Sequence, residues 1–257
     1  MTARTFDATG IRAIVVDHLG RGSLTLEAGP SDDVVEGTVN ADEDLLQQTS
    51  IRHEADTLRI WFPDQLFRTR TAHIRIGVPT GIALTARTGS ADVTASVPLG
   101  RTRLSTGSGE VDLAAAQDLD VTSGSGSVAV GTLTGSGARV TSGSGDIEIG
   151  EAHCPITAKS GSGDLLVRSL RAADLRASAG SGDISVPSTT GSVDLRTASG
   201  SLTIGIAERL TAWLDLSSTS GAVRVAVDAC NAPTADEPYV SIRARTASGE
   251  IAVYRAD

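Results

Sequence analysis

The sequence predicts an all-β protein, a parallel β-solenoid (β-helix) of about nine coils of 17–21 residues, on three observations. First, a Ser-Gly corner recurs along the chain. Its glycines are Gly109, Gly126, Gly145, Gly163, Gly182, Gly200, Gly221 and Gly249, each preceded by serine. They lie 17, 19, 18, 19, 18, 21 and 28 residues apart, and a fixed period of about 20 residues marks a stacked repeat. Second, the positions two and four after the corner glycine are aliphatic in every copy, from Val111 and Leu113 to Ile251 and Val253. Third, the alternation runs backwards too. Five positions before the corner come Leu104, Val121, Val140, Ala158, Ala177, Leu195, Leu216 and Ala244. Apolar residues at every second position make a half-buried strand.

Each copy therefore reads as strand, corner, strand and short return. The corner glycine is expected to supply a positive φ. The serine beside it is expected to hydrogen-bond locally and to stack on serines above and below. One copy cannot bury its apolar face, whereas copies stacked about 4.8 Å apart share a continuous core. Counting a degenerate copy at Thr88-Gly89-Ser90-Ala91-Asp92-Val93, nine coils make a rod of roughly 40 Å. Right-handed winding follows from the handedness of parallel β crossovers. A sandwich of short strands competes, but near-constant spacing favours the solenoid.

Residues 1–81 lack the full repeat and read as an N-terminal β cap with opening coils. Residues 82–257 read as the solenoid, continuous with that cap, with a loop insertion near 228–238. Within the cap, Leu19-Gly20-Arg21-Gly22-Ser23-Leu24 is a loose copy, and Val34–Val39 and Thr71–Val78 are strands. Ser50–Glu54 and Thr57–Trp61 flank the turn Ala55-Asp56 as a hairpin. A cap is needed because coil ends expose unpaired strand edges. Past Ala207 the pattern loosens. Pro233 and Pro238 place a surface loop before a last coil, Tyr239–Tyr254, whose Tyr254 reads as an end plug. No segment shows a helical period.

The combined pattern resembles a bacterial family of β-strand-repeat proteins known as "putative adhesins" of unknown function. The carriers are the Ser-Gly-Ser-Gly-Asp-Ile copies, the run Ala212-Trp213-Leu214-Asp215-Leu216-Ser217 and the stretch from Ser241 to Ile251. Phe6-Asp7 and the Leu19–Leu24 run also match. The resemblance implies a β-helix-like fold and brings no catalytic residues.

Net charge is −9, which argues against sequence-independent nucleic-acid binding. The basic residues are arginines apart from Lys159. The opening residues show no apolar signal region and no run long enough to span a membrane, so the expectation is a cytoplasmic protein. Cys154 and Cys230 fall in different coils and are expected to be thiols.

One constellation goes beyond scaffold. The position after the corner holds Asp146, Asp164 and Asp183 in consecutive coils. Stacking places three carboxylates one strand spacing apart, where a divalent cation such as Ca²⁺ would relieve repulsion. The plainer reading, which the sequence favours, is that each aspartate caps a tight turn. Right-handed β-helices also carry glycan-cleaving enzymes with paired carboxylates, and Asp146 with Glu148 offers such a pair without an aromatic platform. His18, His53, His73 and His153 show no metal-ligand spacing, and His153 and Cys154 point to opposite faces of a strand. Ser125, in Gly124-Ser125-Gly126, sits between strands, where a nucleophile elbow needs a strand and a helix. The sequence asks for no cofactor. The expectation is a non-catalytic scaffold that meets a protein partner or itself through coil ends or a flat Ser/Thr-rich face. Small-molecule capture is not expected of flat sheets.

Overall fold

The computed structural model describes residues 2–63, 70–207, 210–227 and 239–256. These hold 25 strands and one short helix, in two compact units, Met1–Val130 and Gly131–Asp257. The loop expected near 228–238, with Cys230, lies outside the described residues.

In both units each regular coil contributes one leading strand before the corner and one trailing strand after it. Strands of each kind form their own sheet, and the two sheets share a core. In the second unit the first leading strand, Ala138–Ser142, pairs in parallel with Ile156–Ser160, which pairs with Leu175–Ala179, then Val193–Thr197. The trailing strands Ile147–Ala152, Leu165–Leu170, Ile184–Thr189 and Leu202–Ala207 stack likewise. The alternation read from sequence is the burial pattern: Ile147, Ile149, Leu165, Val167, Ile184 and Val186 are all buried, and the residues between them face outward. A third inward position closes the far corner of each coil, at Ala152, Leu170 and Thr189.

The corner glycines are there for closeness. None of them has a positive φ; the positive-φ glycines of the described residues are Gly10, Gly22 and Gly81. A Cβ on Gly182 would instead collide with the carbonyl of Gly163 one coil below, and one on Gly163 with that of Gly145. Corner backbones stack in direct contact, which no side chain permits.

In the last three coils of the second unit's stack, a hydroxyl three residues before the glycine ties successive corners together. Thr197 Oγ1 accepts from the Gly200 amide at 3.1 Å and donates to the Gly182 carbonyl at 3.1 Å. Thr246 repeats this with Gly249 and Gly200, at 3.1 and 2.9 Å. Ser218 does so with Gly221 and Gly249, at 2.8 and 2.9 Å. Thr246→Val strands two buried backbone groups, so it should cost about 1–3 kcal/mol in urea unfolding. Thr246→Ser, which keeps the hydroxyl, should recover most of that loss.

These ladders also give the order of the coils, and it is not chain order. The leading strand Tyr239–Thr246 lies between Val193–Thr197 and Thr211–Ser218. The trailing strand Ile251–Ala256 lies between Leu202–Ala207 and Val223–Ala226. The last coil in sequence is therefore wedged inside, and the coil of 211–226 is outermost. Tyr254 is no end plug. It lies over Gly205, where a Cβ would stand 3.1 Å from its ring, and its hydroxyl sits 3.5 Å from the Pro187 carbonyl.

The first unit repeats the device. The coil of Ala13–Leu19 and Arg21–Ala28 lies between that of Ala83–Thr88 and Asp92–Leu99 and that of Thr57–Trp61 and Thr71–Val78. Outside it, antiparallel strands close the stack: Val34–Ala41 on Thr71–Val78, Thr2–Thr9 on Val34–Ala41, and Ser50–Glu54 on Thr57–Trp61. The last is the predicted hairpin, turning through Ala55 at φ 54°. The helix, Glu43–Gln48, buries Leu45 and Leu46. Its six residues are too few to show a period in sequence.

Candidate functional site

The aspartate edge is a stacking device. The Asp146 carboxylate accepts from the Asp164 amide at 2.8 Å, Asp164 from the Asp183 amide at 2.8 Å, and Asp183 from the Ser201 amide at 2.7 Å. In the first unit Asp92 does the same for the Glu110 amide at 2.9 Å. Each side chain therefore bridges two coils by a charge-assisted hydrogen bond. The structure thus brings Asp146, Asp164 and Asp183 into one file, as the spacing predicts. Among the described residues no group of three or more His, Cys, Asp or Glu side chains is placed to hold a metal ion.

Glu148, the partner considered for Asp146, is engaged by Arg168, with Nη2 at 2.7 Å and Nε at 2.8 Å. Glu151 beside it holds Arg171 at 3.0 Å and His153 at 3.3 Å. Cys154 is buried. The remaining histidines are dispersed: His73 Nδ1 is 2.9 Å from the Ser23 hydroxyl, His18 stands tilted against Trp61 at 6.2 Å between ring centres, and His53 is exposed.

The outer faces of the second unit's two sheets differ in charge. On the trailing face, Glu148 and Glu151 are offset by Arg168 and Arg171. The leading face carries two files of side chains that run across the strands. One file is Arg139, Thr157, Arg176, Asp194, Arg243 and Asp215; the other is Thr141, Lys159, Ser178, Arg196, Arg245 and Ser217. Six cations meet two carboxylates there. Asp194 holds Arg196 at 3.0 Å. Asp215 accepts from Arg243 at 2.9 Å and Arg245 at 3.1 Å, and those hydrogen bonds hold its carboxyl below the usual aspartate value. A group depressed in this way favours the folded state at neutral pH and loses that contribution as pH falls through its folded value. Sequence reasoning missed this face because basic residues are spread evenly along the chain. The signal was present in the outward positions six and four before each corner.

The outermost coil of the second unit is a further surface. Val223 and Val225 occupy the positions that Ile251 and Val253 fill in the coil beneath. Yet they are 45% and 47% exposed, because nothing among the described residues stacks on them. Trp213 and Tyr239, on the leading face at the same end, are 55% and 54% exposed.

Two-sheeted stacks of parallel coils, tied at Gly-containing corners, define the class as an all-β repeat protein with the geometry of a β-solenoid. The chain belongs to the Toastrack DUF4097 family, a domain of unknown function, which it matches over residues 36–254. Three solved structures share the fold at low identity. A "putative lipid binding protein" from Parabacteroides distasonis aligns at 18% identity and TM-score 0.61, over 98% of this chain and 96% of that one. A "putative adhesin" from Parabacteroides merdae aligns at 14% and 0.53, over 98% and 95%. A "putative adhesin" from Bacteroides fragilis aligns at 16% and 0.52, over 98% and 97%. No curated protein sequence matches the chain.

Proposed function

We propose that the protein is a non-catalytic, adhesin-like interaction scaffold. In this reading it is a right-handed solenoid of about nine coils, with residues 1–81 as cap and opening coils and 82–257 as the repeat body. Its binding surfaces are a coil end and a flat Ser/Thr-rich sheet face. The observation that carries the reading is the open coil of 211–226. Core-type valines there stand exposed on an edge strand whose backbone groups are set to pair with another strand. A second copy of the chain supplies the matching surface, since it offers the same edge for an isologous contact.

Size-exclusion chromatography with light scattering tests this directly. Mass should rise with concentration for the native chain. Val225→Lys, which puts a charge on the exposed edge, should shift association to at least tenfold higher concentration, about 1.4 kcal/mol. A native chain that stays monomeric across the range would remove the coil end as a contact.

A further inference from the structure

We infer that the leading face of the second unit binds a linear acidic polysaccharide, with carboxylate groups seated on Arg139, Lys159 and Arg176; this rests on the scaffold reading above, for which it names the partner of the flat face. The whole chain carries a net charge of −9, so two files with six cations against two carboxylates, with Asp174 a third carboxylate two residues before Arg176, are a local reversal of sign. Four of the six cations lie one per coil over four consecutive coils and alternate between the two files: Arg139, Lys159, Arg176, Arg196. The coil rise is the strand spacing of about 4.8 Å. The result is a zigzag of positive charge along the stacking direction.

Hydroxyls fill the alternate places. Thr157 stands in register with both Arg139 and Arg176, and Ser178 with both Lys159 and Arg196. The middle of this array is a shallow depression lined by Thr157, Lys159, Arg176, Ser178, Asp194 and Arg196. Arg196 is already paired with Asp194, but Arg139, Lys159 and Arg176 make no ion pair or side-chain hydrogen bond among the described residues. All three are exposed, and their charges are available to a ligand.

The pattern selects among polyanions. In a 1,4-linked uronic acid chain with a two-fold twist, successive rings turn over, so carboxylates project to alternate sides and ring hydroxyls lie between them. That matches a zigzag of cations interleaved with hydroxyls. Single-stranded nucleic acid needs a row of stacking aromatics along its path. Here Trp213 and Tyr239 sit together at one end, where they can stack on a sugar ring. A bilayer would use the total charge of the face and be indifferent to its alternation.

The experiment is calorimetric titration of the full chain with sodium polygalacturonate at low ionic strength, beside its fully methyl-esterified form. Binding is expected for the acid form, weakening as salt screens it, and not for the ester. The variant R139Q/K159Q/R176Q should lose roughly tenfold in affinity, since three exposed charge pairs are lost together. All three residues are exposed, and an unchanged circular dichroism spectrum verifies the fold. Unchanged affinity in the triple variant, equal binding of the ester, or tighter binding of single-stranded DNA or phosphatidylserine vesicles through the same residues would each overturn the assignment. Val225→Lys separates the two readings, because it should shift self-association to at least tenfold higher concentration and leave polygalacturonate binding intact.

Discussion

Gly182→Val is expected to destabilise the protein by about 3 kcal/mol or more, while Ser181→Ala next to it stays within about 0.5 kcal/mol. The contrast comes from where each side chain points. Ser181 is exposed at the corner. A Cβ at Gly182 meets the Gly163 carbonyl, and the Asp164 amide at 3.1 Å. Both are backbone groups of the coil below, so no rotamer change makes room. The coils must part, and the bond from the Asp183 amide to the Asp164 carboxylate, 2.8 Å long, goes with the contact. Urea unfolding of the three proteins reads the difference. A valine variant as stable as the native chain would show that the corners do not stack in contact.

Ile242→Asp should melt two coils at once and spare the rest of the second unit. Ile242 is fully buried in the wedged strand Tyr239–Thr246, in register with Val193 on one side and Leu214 on the other. Burying a carboxylate there costs several kcal/mol beyond the lost apolar burial of about 2–3 kcal/mol. Stacked coils depend on their neighbours, so a lesion in one releases whatever stands on it. The coil of 211–226 has only the wedged coil for support among the described residues. Hydrogen exchange should therefore speed up in Thr211–Ser218 as well as Tyr239–Thr246, while Val193–Thr197 and the strands before it keep their protection. Protection retained in Thr211–Ser218 would mean that the coils follow chain order instead.

Those two expectations show how unevenly the fold was legible. The strands were readable because Val, Leu and Ile recur every second residue on both sides of a Ser-Gly corner, and a period of two fixes which side chains face inward. Lateral alignment was readable as well, since near-constant spacing between copies sets each corner over another. The aspartate file follows from the same alignment: Asp146, Asp164 and Asp183 share one repeat position. Its use was not readable, because whether a carboxylate meets a cation, water or an amide depends on the coil above. The same holds for the glycines. The sequence shows only that they recur, whereas the structure shows that contact, not a left-handed φ, requires them.

By itself, then, the sequence determined the strand periodicity, the corner and the in-register stacking, all local or repeating properties. Tertiary structure alone decided which coil lies next to which at the ends, where Tyr239–Thr246 and Ile251–Ala256 slip beneath Thr211–Ser218 and Val223–Ala226, and Ala13–Leu19 and Arg21–Ala28 beneath Thr57–Trp61 and Thr71–Val78. Near-identical repeats offer nearly identical edges, so coil order is set by which coil leaves a buried surface and which an exposed one, a comparison that no single repeat contains. The sign of each outer face was decided there too, because charges scattered along the chain become a patch only when the coils bring every second outward position into line.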